Sequence, residues 1–150
     1  MDSSIASLEA AIETTQEPLE KAAALNSLAW ALRSRDAERC LRLTVEAEQL
    51  IETAGKRRNE PLFRQVLARS LFIRGIAEIE LLHYAEARLH LTQAQELYNK
   101  ENDEKALVEV LHRLGVVCLL TGDNTGALAY TSACLELRRN NSTTYELGLT

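Results

Sequence analysis

The chain of 150 residues is poor in the residues that mark several protein classes. Aromatic residues make up 5% of it, and it has six glycines and two prolines. The scarcity of aromatic residues argues against a β-sandwich or β-barrel, and the scarcity of glycine and proline excludes collagen-like and Pro/Gly-rich disordered chains. No apolar run approaches the roughly 20 residues of a membrane span, and no basic segment with an apolar core marks a secretion signal. We therefore expect a globular chain with no membrane partner.

Cysteine and charge restrict the remaining classes. The three cysteines, Cys40, Cys118 and Cys134, are an odd number without a C-x-x-C pair, which favours buried thiols in a reduced, cytoplasmic protein. The formal net charge is −5, so the broad basic surface of a nucleic-acid-binding protein is missing and no nucleic-acid partner is expected. The basic run 56–58 is interpreted as a solvated loop.

Residue patterns that carry chemistry are also missing. His83, His90 and His112 do not form H-E-x-x-H or zinc-ligand spacing, and the chain has no phosphate loop, dinucleotide fingerprint or nucleophile elbow. Carboxylates such as Glu78 and Glu80 are interpreted as solvated helix faces, and His90 as a surface residue. The sequence therefore predicts no catalytic residue, no metal site and no cofactor, and the chain is not expected to be an enzyme.

Apolar residues recur with helical spacing almost throughout, and no segment alternates with period two. Pro18 and Pro61 suit first-turn positions, and Asp36 and Asp103 suit N-caps. The predicted helices are a short one carrying Ile5, Leu8 and Ile12, followed by 18–33, 36–55, 61–82, 84–99, 103–121 and 124–138. The polar run 140–142 is expected to follow the end of the last helix. The fold class is all-α.

The predicted helices repeat. Residues 71–98 align with residues 111–138 at a shift of 40, which brings Leu71 onto Leu111 and Gly75 onto Gly115. Because glycine in a helix interior costs about 0.5–1 kcal/mol relative to alanine, both glycines predict a close approach of two helices. A looser copy carries Leu28, Ala29 and Cys40 in the corresponding places.

The stretch Leu111-x-x-Leu114-Gly115-x-x-Cys118, followed by Gly122-Asp123 and Ala127, resembles the tetratricopeptide repeat. Similar stretches start at Leu71 and Leu28, although the unit has 40 residues rather than the usual 34 and lacks the helix-ending proline. The resemblance implies a right-handed superhelical solenoid of antiparallel helix pairs in a single domain. Its parts would be an N-terminal helix at 1–18, repeats at 19–55, 61–100 and 103–141, and the start of a further, truncated repeat at 142–150.

Repeats of this longer type are similar to those in the regulatory regions of bacterial signalling proteins. The resemblance therefore implies a protein-protein interaction module, the N-terminal regulatory part of a larger protein, that binds a peptide or partner domain in a concave groove. In this family the first helix of each pair, called the leading helix, lines that groove, and the second is called the trailing helix. The groove positions are Asn26, Trp30, Arg33, Arg69, Phe72, Ile76, His112 and Val116.

Two alternatives to this interpretation remain open. Trp30 and Phe72 are the expected anchors for a partner, but aromatic residues at helical spacing also fill gaps between adjacent leading helices. The same surfaces could instead join identical subunits, as in a structural homo-oligomerisation module or homodimer without a separate ligand. Glu109 stands where a basic residue would be needed to grip a peptide's C-terminal carboxylate, so that activity is not implied.

Overall fold

The computed structural model describes the backbone of residues 3–146 and the side chains of residues 4–140. That part of the chain forms seven α-helices, one turn of 3₁₀ helix at Gly55–Arg57 and no strand. The helices are α1 (Ser3–Thr14), α2 (Pro18–Leu32), α3 (Ala37–Thr53), α4 (Pro61–Glu80), α5 (Tyr84–Lys100), α6 (Glu104–Leu120) and α7 (Asn124–Glu146). The all-α prediction is confirmed for these residues. None of the helices described is long and apolar enough to cross a bilayer.

Side-chain caps fix where several helices begin. The Asp36 carboxylate accepts a hydrogen bond from the Arg39 backbone N–H at 3.1 Å, and Asp103 accepts one from the Ala106 backbone N–H at 3.1 Å. Each carboxylate satisfies a backbone donor that the first helical turn leaves without a partner. Both predicted N-caps are therefore confirmed.

The turns after α4, α5 and α6 share one backbone conformation. Each contains a residue with positive φ, namely Leu82 (65°), Asn102 (55°) and Gly122 (82°). In each turn the next backbone N–H reaches back to the carbonyl five residues earlier, at 2.8–3.0 Å, as in a Schellman motif. Leu82 and Gly122 are 40 residues apart, so the period of the sequence is also a period of the backbone.

Consecutive helices pack against each other from α1 to α7. In addition α2 contacts α4, and α4 contacts α6, so the even-numbered helices form a row. A large hydrophobic core runs through this arrangement and includes Leu25, Ile73, Leu91 and Leu114, and a smaller cluster between α6 and α7 contains Val108, Leu111 and Cys134. All three cysteines are buried, as predicted.

The two repeated glycines differ in their surroundings. A Cβ atom on Gly75 would lie 2.6 Å from Cγ of Leu91, so α4 and α5 approach closely there as predicted. A Cβ atom on Gly115 would meet its nearest neighbour, Oγ1 of Thr131, at an ordinary 3.6 Å. Thr131 stands 40 residues after Leu91, and its smaller side chain leaves room. At Gly115 the two helices are therefore in contact, with the Ala127 carbonyl oxygen 3.9 Å from such a Cβ, but they approach less closely than at Gly75.

The last helix is longer than predicted. It continues through residues 140–142 and reaches Glu146, so the backbone has no break after Arg138. Asparagine and serine are only moderately poor helix formers, and no glycine or proline intervenes before Gly148. Residues 147–150 of the expected further repeat lie outside the described residues.

Candidate functional site

Trp30 lies at the contact between α2 and α4 within a group that we call the tryptophan cluster: Trp30, Arg33, Arg69 and Phe72. The rings of Trp30 and Phe72 are stacked, with centroids 6.2 Å apart and planes inclined by 29°. The guanidinium carbons of Arg33 and Arg69 lie 3.7 Å and 4.4 Å from the centroid of the Trp30 ring. Cation–π attraction thus holds two charged groups against one half-buried aromatic ring.

Two cavities adjoin Trp30, and together we call them the Trp30 groove. One has a volume of about 360 Å³ and is lined by Ala23, Asn26, Ser27, Trp30, Leu62, Gln65, Val66 and Arg69. The other has a volume of about 260 Å³ and is lined by Trp30, Arg33, Phe72, Glu109, His112, Arg113 and Arg138. The structure therefore brings six of the eight predicted groove residues together. Ile76 and Val116 line neither cavity.

The predicted groove residues are not equally accessible. Phe72, Asn26 and Ile76 are only 2–3% exposed, whereas Trp30 is half-buried and His112 is exposed. Phe72 therefore fills the gap between adjacent helices, because its ring belongs to the core and is stacked against Trp30. Asn26 donates from Nδ2 to the Val66 carbonyl at 3.2 Å, which ties α2 to α4.

The groove contains residues that the sequence pattern did not indicate. Arg113 follows His112 on α6, one position beyond the predicted stripe. Arg138 comes from α7, a trailing helix, so a count along leading helices could not find it. Together the two cavities are lined by four arginines and one glutamate, Glu109.

A buried tyrosine stands beside the tryptophan cluster. Tyr98 of α5 is 6% exposed, and burial raises the pKa of its hydroxyl to about 12, against the opposing effect of the Arg69 charge. The hydroxyl therefore stays protonated at neutral pH and interacts with the Arg69 side chain as a neutral group. Arg69 is thus held between Trp30 and Tyr98.

Glu78 and His90 form a polar pair inside the protein. Glu78 is 3% exposed, its carboxylate lies 2.7 Å from Nδ1 of His90, and Arg74 lies 3.5 Å away on its other side. The interpretation of Glu78 as solvated and of His90 as a surface residue is therefore wrong. Neither residue lines any of the cavities described, so the pair links α4 to α5 rather than facing a ligand.

A cavity of about 650 Å³ lies apart from the Trp30 groove, between α3, α4 and α5. Its apolar lining includes Ile51, Phe63 and Leu97. Two of its charged lining residues, Arg64 and Glu101, form an ion pair with each other. The sequence did not predict this cavity, because its lining residues come mainly from three helices and follow no single helical repeat in the sequence.

Within residues 4–140, no three histidine, cysteine, aspartate or glutamate side chains are grouped as a metal site would require. Comparison of the chain with models of protein families, with curated proteins and with solved structures gives no match.

Proposed function

We propose that the chain is a protein-protein interaction module that binds a peptide segment or partner domain in the Trp30 groove. The observation that carries this proposal is the half-buried Trp30 with a cavity on either side, about 360 Å³ and 260 Å³. The two cavities accept the side chains of a bound segment, and the part of the Trp30 ring that Phe72, Arg33 and Arg69 leave exposed adds a rigid apolar contact between them.

Asn26 gives further support. It lines the larger of the two groove cavities, and its Oδ1 has no hydrogen-bond partner in the part of the chain that the structure describes. A buried acceptor without a partner costs free energy, and because Oδ1 is closed to solvent, a donor in the cavity would remove that cost only with a small movement of the lining. A peptide backbone offers such a donor at nearly every residue.

The architecture that we propose for this function is a right-handed superhelical solenoid of tetratricopeptide type, with antiparallel helix pairs and the groove on its concave side. Two findings support it: the row of α2, α4 and α6, and the 40-residue spacing of helix bounds. α4 and α6 end at Glu80 and Leu120, and α5 and α7 begin at Tyr84 and Asn124. The resemblance further suggests a cytoplasmic regulatory role within a bacterial signalling protein.

Titration with a library of dodecapeptides tests the groove, because Trp30 is the only tryptophan and its emission reports directly on the site. Ser27→Tyr places a ring in the larger groove cavity. Ser27 is exposed and its hydroxyl bonds only within its own helix, to the Ala23 carbonyl, so the fold should survive. We expect binding peptides to shift the emission, and Ser27→Tyr to weaken them about tenfold or more.

The matched control is Ser132→Tyr, the same change at an exposed position of α7 outside the groove. It should leave peptide affinity unchanged. Peptides that bind without altering Trp30 emission, and that bind Ser27→Tyr normally, would place the site elsewhere on the protein.

Self-association is the second candidate function, and exposed leucines favour it. Leu128 and Leu135 lie two turns apart on one side of α7 and are 69% and 55% exposed. Leu119 is 63% exposed, whereas Ile79, its counterpart 40 residues earlier, packs against the core. Glu136 and Arg139, which line a small cavity with Leu135, supply opposite charges that a second copy of the chain could match.

Sedimentation equilibrium over a range of concentrations tests self-association. The double variant Leu128→Glu/Leu135→Glu should convert any dimer to monomer. Leu89→Glu, at a leucine of α5 that is also 55% exposed, is the control and should not. A native chain that stays monomeric at high concentration would eliminate this candidate.

A further inference from the structure

The arginines of the Trp30 groove differ in their partners from five arginines elsewhere in the protein. Arg39, Arg57, Arg64, Arg74 and Arg88 each form an ion pair with a carboxylate. The four arginines of the Trp30 groove form no ion pair with the residues described. No carboxylate in that part of the protein therefore pairs directly with these four guanidiniums, although Glu109 lines the same cavity as three of them.

Two of the groove arginines are held in place by aromatic groups. Arg33 lies over the Trp30 ring and donates from Nη1 to the Trp30 carbonyl at 2.7 Å, and Arg69 lies over the same ring. A guanidinium carries five N–H donors, and stacking occupies its face rather than its edge. Most of these donors thus remain available on side chains whose motion is already restricted, which lowers the entropy cost of binding.

The groove differs in charge from the rest of the chain. Its cavities carry four arginines against the single carboxylate of Glu109, whereas the whole chain has a formal net charge of −5. A positive cleft on an acidic protein attracts a local anion while repelling large polyanions. Planar guanidiniums also match the two oxygens of a carboxylate.

From these observations we propose that the Trp30 groove selects acidic peptide segments, with Arg33, Arg69, Arg113 and Arg138 binding aspartate or glutamate side chains. This inference rests on the proposed function and names the chemistry of the partner.

Single-stranded nucleic acid is the competing anion, and the geometry disfavours it. Such ligands bind by stacking bases on open aromatic faces. The Trp30 ring is already stacked with Phe72 and lies beneath two guanidiniums, so it offers no free platform to a base. The overall acidity of the chain also opposes binding of a phosphate backbone.

The test compares two sets of amidated dodecapeptides and one oligonucleotide, each titrated into the full chain while Trp30 emission is followed. The acidic set alternates Asp or Glu with Leu, Ala and Ser, and the neutral set replaces each acid by its amide. Amidated ends remove the terminal carboxylate, so only side chains can supply charge. A 12-nucleotide single-stranded DNA is the third probe. We expect only the acidic set to contain peptides that bind tightly, and we expect their binding to weaken in 0.5 M NaCl.

Neighbouring arginines on α7 provide a matched pair of variants. Arg138 lines the groove and Arg139 lines a different cavity, and both side chains are exposed, so neither change should disturb folding. Arg138→Gln should weaken the acidic peptides about 3- to 10-fold, and Arg139→Gln should leave them unchanged. Arg113→Gln should act like Arg138→Gln.

The outcomes distinguish failure of acidic selectivity from failure of peptide binding in the groove. Equal binding of acidic and neutral sets, with Trp30 responding, would overturn acidic selection and leave the groove function standing. Tighter binding of DNA than of any peptide would also overturn it. Failure of every peptide in both sets to shift Trp30 emission would overturn the proposed function together with this inference.

Discussion

Glu78 and Glu80 show how strongly one residue's role depends on the helix face it occupies. Both lie on α4, but Glu78 is buried between His90 and Arg74, whereas Glu80 is exposed. Glu78→Ala should lower the free energy of unfolding by about 2–4 kcal/mol, because it leaves polar groups of α4 and α5 buried without their partner. Urea denaturation measures this change.

Glu80→Ala is the control for that prediction and should change the free energy of unfolding by no more than about 0.5 kcal/mol. Equal effects of the two substitutions would mean that Glu78 is solvated in solution.

Gly75 and Gly115 give a second comparison between equivalent residues. Gly75→Ala should destabilise the protein by about 1–3 kcal/mol, since the new Cβ would overlap the buried Leu91 side chain. Gly115→Ala should be neutral or stabilising by up to about 1 kcal/mol, because space exists and alanine is the better helix former. Thermal unfolding of both variants checks the order, and a lower midpoint for Gly115→Ala would contradict it.

The turn between α4 and α5 contains a leucine in a conformation that suits glycine. Leu82 has φ of 65° and is 69% exposed, so removing its side chain sacrifices little burial. The left-handed conformation costs a residue with a Cβ about 1–2 kcal/mol, which exceeds the extra entropy that glycine loses on folding. Leu82→Gly should therefore raise the free energy of unfolding by about 0.5–1 kcal/mol, as measured in urea.

Gly122 is the reciprocal test of that turn. A Cβ added there would meet no atom within 4 Å, so the cost of Gly122→Ala is purely conformational. It should destabilise by about 1 kcal/mol. A stabilising Gly122→Ala would show that the turn tolerates side chains and would remove the basis of the Leu82 prediction.

The helices themselves were largely predictable because their signals are local. Apolar spacing, the prolines and the caps Asp36 and Asp103 all act within a few residues of the element that they define. The end of α7 was missed for the same reason, since 140–142 are weak helix formers rather than stop signals. A local pattern cannot show whether a run of weak helix formers continues a helix or follows its last residue.

The groove was only partly predictable because it depends on contacts between distant residues. Arg33 and Arg69 lie on the predicted stripe, but Arg113 lies one position beyond it and Arg138 reaches the groove from α7. The burial of Phe72 and Glu78 likewise depends on which neighbours cover them. A helical stripe identifies which residues share a face, but not how deeply the next helix buries that face.

At the scale of the whole molecule, a buried thiol and a buried phenol should make the folded state less stable at alkaline pH. Burial raises the pKa of the Cys40 thiol from 9.0 to about 11 and that of Tyr98 from 10.0 to about 12. The folded state therefore keeps these protons to higher pH than the unfolded state, so the stabilisation is complete below about pH 9 and disappears as pH rises toward 11–12. Each group should contribute a loss of about 2–3 kcal/mol.

Urea denaturation between pH 8 and pH 11 tests this dependence. Tyr98→Phe, which removes the titrating hydroxyl, should flatten the decline above pH 10, and Cys40→Ala should flatten it from pH 9. A decline that both variants share with the native chain would assign it to other groups.

The packing of the helices has a consequence for how the chain reaches its fold. Helices that pack extensively are never more than two elements apart along the sequence. Little loop-closure entropy must therefore be lost before a contact forms, which favours rapid folding. Each helix added needs only the one or two before it as a template, so structure can grow from an interior pair toward either terminus. Tension applied to the two termini would reverse that growth, detaching helices from the ends in steps rather than breaking one central core.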